Sequence, residues 1–283
     1  MKIFVTGGSG YVGSAVVKEL IAADHQVIGL ARSERSAEKL RAFGAVPRIA
    51  GMTETDKWQD AAADADGIIH MAATFDENMA EAESTFLSGI EAVTRTHPDK
   101  RFLYTGGVWL YGTCADTPAA EGSGFKPLDE FAFMVAHRDR LFANPDLRAS
   151  VVHPGLVWDE DGGMINPLLE DAKKGRALRL PATENLRWPL VHRDDLARLY
   201  RLAIEKDDNQ SDYHAIAEAA VPMSEIASTI SRQAGISTDP VVDRTHWSDG
   251  AHLSQHIHSE QTREALGWQP NHPGILETQF QLA

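Results

Sequence analysis

Thr6-Gly7-Gly8-Ser9-Gly10-Tyr11-Val12-Gly13 joins two segments of different period. Before it, residues 2–6 form a short apolar, β-branched run. After it, residues 14–23 place Val16, Val17, Leu20 and Ile21 on one helical stripe. Gly8, Gly10 and Gly13 satisfy G-x-G-x-x-G, and Gly7, Gly10 and Gly13 satisfy G-x-x-G-x-x-G. Glycine is required where a chain turns sharply and where backbone must lie close to a pyrophosphate. The helix that follows offers unpaired N–H groups and its positive dipole end to those phosphates. A strand before the glycines and a helix after them give the motif its specificity for a dinucleotide. Ser14-Ala15 stand where a nucleoside-triphosphate loop requires Lys and Ser or Thr, which excludes that alternative.

Outward from this turn the same rhythm repeats. Residues 26–31 read as a strand, 34–43 as an amphipathic helix ended by Gly44, 45–50 as a strand, 57–65 as a helix and 67–73 as a strand. A helix over 78–96, a strand over 101–105, a helix over 129–143 and a strand over 149–153 continue it. Such alternation implies parallel strands with right-handed crossovers. Continuous apolar runs such as Ile68-Ile69 suit strands covered on both faces. The expected fold is α/β, a doubly wound parallel sheet. Past Pro154-Gly155 the rhythm loosens, with helices expected at 166–174, 194–205, 224–234 and 262–266 and an extended segment at 188–192. The division expected is a cofactor domain over 1–155, with a return segment about 188–206, and a smaller substrate lobe over 156–283. Residues 113–124, rich in Gly, Ala, Thr and Ser, read as a surface loop.

Composition narrows the function. Lys plus Arg total 27 and Asp plus Glu 41 in 283 residues, a net charge of −14, a poor field for nucleic acid. One cysteine, Cys114, cannot form an internal disulfide, and no apolar run approaches the ~20 residues of a membrane span. MKIFV is too short for a signal-peptide core. The expectation is a cytoplasmic protein with a small-molecule substrate and no nucleic-acid or membrane partner. The second strand speaks to the cofactor. Its end reads Leu30-Ala31-Arg32-Ser33, then Arg35, without the acid that holds the ribose 2′-OH of NAD. A guanidinium at Arg32, beside Ser33, pairs with a 2′-phosphate, so NADP is favoured over NAD.

Several segments, in order, resemble the short-chain dehydrogenase/reductase superfamily in its extended form, related to NAD-dependent epimerases and dehydratases. Besides the glycine loop, Ile68-Ile69-His70-Met71-Ala72-Ala73 is similar to the fourth-strand motif that lines the ribose. Tyr104-Thr105-Gly106-Gly107-Val108-Trp109-Leu110-Tyr111-Gly112 resembles the fifth-strand segment, and His153-Pro154-Gly155-Leu156 the Pro-Gly turn at the nicotinamide. Leu190 to Ala197 and Leu266-Gly267-Trp268-Gln269-Pro270 match the return segment and the C-terminal signature. The resemblance implies a Rossmann-type fold. It also implies cofactor contacts from Gly7, Gly10, Tyr11, Val12, Gly13, Arg32, Ser33, Met71, Ala72, Ala73, Thr105, Gly106, Pro154, Gly155 and Leu156. A homodimer through the helices at Asn78 and Asp129 is a further implication.

The superfamily's proton-transfer residues, a Ser or Thr, a Tyr and a Lys four residues later, are absent. Gly107, Phe131 and Val135 occupy those positions, with 24 residues from Gly107 to Phe131, and no Tyr lies between Tyr111 and Tyr200. A phenyl ring cannot exchange a proton and valine cannot carry charge. Three readings stay open: an oxidoreductase with another acid, for which Tyr111, His137 and His153 are candidates and Thr105 an orienting hydroxyl; a reductase needing only cofactor and orientation; and a non-catalytic NADP-binding sensor. A nucleotide-sugar epimerase or dehydratase is a further alternative. With Phe131 and Val135 the site is drier than usual, favouring a small apolar or aromatic carbonyl substrate. His252, His256 and His258 lack the acid or cysteine partners of a metal site, so no metal is expected. Residues 158–163 read as an acidic loop, and Asp194-Asp195 as a helix cap.

Overall fold

The computed structural model describes residues 1–74, 76–182, 185–206 and 208–282. It opens with β1 (Lys2–Thr6) and α1 (Tyr11–Ala22), followed by β2 (Gln26–Ala31), α2 (Glu34–Ala42), β3 (Val46–Ile49), α3 (Gln59–Asp64), β4 (Gly67–His70), α4 (Met79–Thr94), β5 (Lys100–Thr105), α5 (Ala132–Phe142) and β6 (Leu147–Pro154). Then come β7 (Leu156–Asp159), β8 (Gly162–Gly163), α6 (Asn166–Lys173), β9 (Arg179–Leu180), β10 (Arg187–His192), α7 (Arg193–Glu205), β11 (Asp212–Ala215), β12 (Glu218–Pro222), α8 (Met223–Ala234), β13 (Val241–Val242) and α9 (Glu260–Leu266).

The chain divides into two compact units. The first comprises 1–106, 132–153 and 196–213; the second comprises 107–131, 154–195 and 214–283. The division does not fall at one point in the sequence. Residues 107–131 group with the second unit, and of the return segment only 196–206 groups with the first.

The first unit is built on a seven-stranded sheet of order β11-β6-β5-β4-β1-β2-β3. From β6 through β3 every paired neighbour is parallel. This is the expected doubly wound, Rossmann-type sheet. Strand order reverses between β1 and β4, where Thr6 is in register with His70. Ligands of such sheets bind beyond the carboxyl ends at this reversal. Phe4, Trp58, Ile68, Phe86 and Phe102 form the centre of the core, with Trp58 4.9 Å from Phe86 and 5.9 Å from Phe4. In the second unit, β12-β10-β7-β8 form a smaller sheet, over which Trp158, Trp188, Leu168, Ile226 and Ile230 are buried.

Local differences from the sequence reading have local causes. α1 begins at Tyr11, three residues before the expected start at Ser14, because its first turn is the end of the glycine loop itself. A 3-10 turn at Asp129–Phe131 precedes α5, so the helix starts at Ala132. Trp158 and Asp159 lie in β7, not in an acidic loop: Asp159 is buried and pairs with Arg193 Nη1 at 2.7 Å. Asp195 does not spend its carboxylate on a cap. Its two oxygens accept the N–H groups of Asn271 and His272 at 2.8 and 3.1 Å.

Candidate functional site

At the reversal point, Gly7 takes φ +73° and Gly10 N–H donates to its carbonyl at 3.0 Å. A Cβ on Gly7 would lie 2.7 Å from the Met71 carbonyl and 2.8 Å from Ala72 N, so only glycine lets the loop meet the end of β4. A side chain on Gly13 would run into the Gly7 carbonyl oxygen. No side chain caps α1 at Gly10, and its first turn carries no acid. Glycine backbone, an uncapped helix start and no opposing negative charge fit a dinucleotide pyrophosphate. Tyr11 is exposed and Val12 half-buried beside it. Met71 and Ala72 are half-buried and Ala73 exposed, just past β4.

Thr6 ties this loop together. It receives N–H bonds from Met71 and Ala72, both at 3.2 Å, and lies 2.7 Å from His70 Nδ1. Thr105 donates to the His70 carbonyl at 2.7 Å and receives the Tyr200 hydroxyl, also at 2.7 Å. Tyr200 is fully enclosed, and burial pushes its phenol pKa up. Thr105 is therefore a bound, partly buried hydroxyl.

At the end of β2, Ser33 caps α2 by accepting Ser36 N–H at 3.3 Å. Arg32 and Arg35 are exposed and pair with no carboxylate among the described residues. Arg41 pairs with Glu34 at 2.6 Å, and Arg48 pairs with Asp60.

The residues expected at the proton-transfer positions fall in both units. Gly107 (φ 174°, extended) and Phe131 belong to the second, Val135 to the first. Nothing lies within 4 Å of a Cβ placed on Gly107. Phe131 is half-buried, its ring 5.3 Å from that of Trp109, and Gly250 packs on the Trp109 indole. In the first unit, a Cβ on Gly106 would lie 2.5 Å from His153 Nδ1. In the second, a Cβ on Gly155 would lie 2.9 Å from the Pro189 carbonyl oxygen. Pro154 is half-buried and Leu156 is buried in the core of the second unit.

The three candidate acids have different hydrogen-bond partners. Tyr111 donates to His214 Nε2 at 2.6 Å, and His214 Nδ1–H to the His258 carbonyl at 2.8 Å; both rings are buried. His137 lies 3.4 Å from Glu83, a buried carboxylate that also receives the Tyr104 hydroxyl at 2.6 Å. His153 is fully buried and donates from Nε2 to Asp212 at 3.0 Å. Burial opposes the charge of Asp212, but bonds from Arg138 and His153 outweigh it and hold its pKa at about 2. Tyr200, His214, Glu83 and Asp212 carried no sequence signal, because each gains its partner across distant segments.

One His and Asp grouping, His192, Asp194 and His272, has the proximity of a metal site. Its geometry opposes one. The two imidazoles stack at 3.8 Å with planes 14° apart, so their in-plane lone pairs do not converge. His192 Nδ1 also accepts Asp194 N–H at 3.2 Å, while Nε2 lies 3.3 Å from Glu160. In the C-terminal segment, His252 Nδ1 bonds to the Pro181 carbonyl at 2.7 Å and His258 pairs with Glu260 at 3.2 Å. Cys114 is buried, which raises its thiol pKa.

A glycine-rich strand–turn–helix at the reversal point of a doubly wound sheet defines a dinucleotide-binding protein of the short-chain dehydrogenase/reductase type. The model of the NAD dependent epimerase/dehydratase family matches residues 3–217, and the chain belongs to that family. An uncharacterized protein of Schizosaccharomyces pombe is 31% identical over 289 residues, 98% of this chain and 97% of the relative. The 4-hydroxy-2-methyl-3-oxo-4-farnesyl-3,4-dihydroquinoline-1-oxide ketoreductase of Stigmatella aurantiaca is 30% identical over 190 residues, 63% of this chain and 57% of the relative. In fold, the chain is similar to a UDP-glucose 4-epimerase of Thermotoga maritima, with a TM-score of 0.85 at 19% identity, covering 100% of this chain and 97% of that one. No helix among the described residues is long and apolar enough to cross a membrane.

Proposed function

We propose that this chain is an NADP(H)-dependent oxidoreductase acting on a small carbonyl compound with an apolar or aromatic body. The observation that carries the substrate class is the replacement of the usual hydroxyl, phenol and ammonium by Gly107, Phe131 and Val135, with Phe131 set against Trp109. Such positions favour apolar surface and offer no charged group to a sugar. A ketoreductase of a farnesyl quinoline among the relatives is consistent with that class. The unpaired Arg32, with Arg35 beside it, supports NADP as the dinucleotide. The bound dinucleotide supplies or accepts a hydride, which is the hard part of the chemistry. Gly7, Gly10 and Gly13 would hold its pyrophosphate and Arg32 its 2′-phosphate. The chain's remaining task is to orient the carbonyl: hydride addition would break the C=O π bond and leave an alkoxide, which would take its proton from water.

The test is oxidation of NADPH against a panel of aldehydes, ketones and enones of graded polarity. Turnover concentrated in the apolar and aromatic members is expected. Tight NADPH binding with no oxidation by any of them would overturn the enzyme reading and favour a redox sensor.

A further inference from the structure

The second unit holds a cavity of about 250 Å³ whose lining includes Trp158, His192, Glu218, Arg263, His272 and Gly274. At a water's share of ~30 Å³ it holds roughly eight waters' worth of space, below the ~300–1,000 Å³ of pockets for drug-sized ligands. The Arg263 guanidinium is held only by neutral acceptors. Nε donates to Ser259 Oγ at 3.1 Å, and Nη2 to the carbonyls of Ile216 and Ala217 at 2.9 and 3.1 Å. Its plane lies over Trp268 at 5.4 Å. Among the described residues no carboxylate pairs with it, and Nη1 has no acceptor. A guanidinium fixed in place without a counter-ion is a prepared position for an anion.

A second donor is unmet. Trp158 is 1% exposed, and its indole N–H finds no acceptor among the described residues. Buried donors are nearly always satisfied, so a missing acceptor needs an explanation. Glu218 supplies the opposite chemistry. One oxygen accepts Ile275 N–H at 3.1 Å, and a Cβ on Gly274 would lie 2.8 Å from the other, so glycine there leaves the carboxylate room. Burial, helped by the nearby Glu277 carboxylate, raises the pKa of Glu218. The remaining polar lining is occupied: Asp195 accepts two backbone N–H groups, both nitrogens of His192 are bonded, and His272 Nδ1 lies 3.2 Å from Asp195.

We propose that this cavity is a binding site for a small free α-amino acid, its carboxylate received by Arg263 with the Trp158 N–H and its ammonium by Glu218. The occupant carries an anion and a cation on groups bonded to one carbon, which matches two donors and one acid in a space of this size. The lining residues all belong to the second unit, whereas the glycine loop belongs to the first.

L-Alanine is the probe, titrated into the full-length protein without dinucleotide and followed by the tryptophan indole N–H resonances. The Trp158 resonance, assigned by its loss in Trp158→Phe, is expected to shift saturably. Arg263→Met should weaken the affinity about tenfold or more, as loss of one charge-assisted bond predicts. Glu218→Gln should weaken alanine while leaving acetate unchanged. Acetate and ethylamine in the parent protein, each weaker than alanine, test the same pairing without relying on a variant's fold. A Trp158 resonance that does not move, acetate binding as tightly as alanine, or a folded Arg263→Met that binds alanine like the parent would each overturn the site. None of these results depends on NADPH turnover, so its failure and failure of the reductase reading are distinguishable.

Discussion

Thr6 Oγ1 lies 2.7 Å from His70 Nδ1 and fixes the tautomer of that imidazole. The Thr6 oxygen already accepts from Met71 and Ala72, so its own proton goes to His70 Nδ1 and the ring hydrogen sits on Nε2. One hydroxyl thus connects β1, β4 and the cofactor turn. Thr6→Val keeps the shape and removes all three bonds. It should cost about 2–3 kcal/mol of stability, since buried groups lose partners that water does not replace. It should also weaken dinucleotide binding, because Met71 and Ala72 abut Gly7. Thr6→Ser should retain most of both. Urea denaturation and a binding titration on the two variants check this, and equal stability of Val and Ser would contradict it.

The same imidazole makes stability depend on pH. His70 is fully buried between Phe86 at 4.3 Å and Tyr104 at 5.8 Å, and burial lowers its pKa to about 4, partly opposed by Glu83. The unfolded chain binds a proton there below about 6.5, whereas the folded chain does not until about 4. This contribution is therefore present above pH 6.5 and lost as the pH falls toward 4, about 3 kcal/mol in all. Asp212, held at about 2, does not add to the loss until the pH falls below its ordinary 3.8. His70→Asn should flatten the stability profile between pH 4 and 6.5 and leave the steeper acid limb. Unchanged slope in that window would remove His70 as its source.

The glycine loop and the strand alternation were legible because each is local. Gly7, Gly10 and Gly13 answer to close backbone contacts, and Ile68-Ile69 to burial on both faces. What was not legible depends on distant pairing. His153 and Asp212 are 59 residues apart, and Tyr111 and His214 are 103 apart. Leu156–Asp159 is short and pairs with a strand 34 residues later, so the acidic residues after Trp158 masked it. Asp195 looks like a cap by position, but its oxygens face Asn271 and His272, which no local pattern indicates.

The proposed preference for NADP rests on Arg32, which stands exposed and pairs with no carboxylate among the described residues. Arg32→Ala should weaken NADPH binding about tenfold to a hundredfold, the range for loss of a charge-assisted contact, and leave NADH nearly unchanged. Arg35→Ala should do less, since Arg32 stands nearer the strand end. Fluorescence titration with both dinucleotides measures the ratio. Equal losses for NADPH and NADH in Arg32→Ala would show a general role at the phosphates instead.

Gly106 and Gly107 are neighbours with opposite tolerance. A Cβ at Gly107 meets nothing within 4 Å, and its φ of 174° suits any residue. A Cβ at Gly106 would lie 2.5 Å from His153 Nδ1 and 3.2 Å from Val151 Cγ1. His153 cannot easily yield, because it is fully buried and its Nε2 is bonded to Asp212, which is itself gripped by Arg138. Gly106→Ala should therefore cost about 1–3 kcal/mol, the usual penalty of overpacking, whereas Gly107→Ser should lie within about 0.5 kcal/mol of the parent. That makes Gly107→Ser a clean background for restoring the missing chemistry. Combined with Phe131→Tyr and Val135→Lys, it should raise carbonyl turnover and shift its pH profile toward that of a titrating phenol, with NADPH affinity unchanged. A folded triple variant with parent-level turnover on the same panel would place the reacting carbonyl away from these three positions.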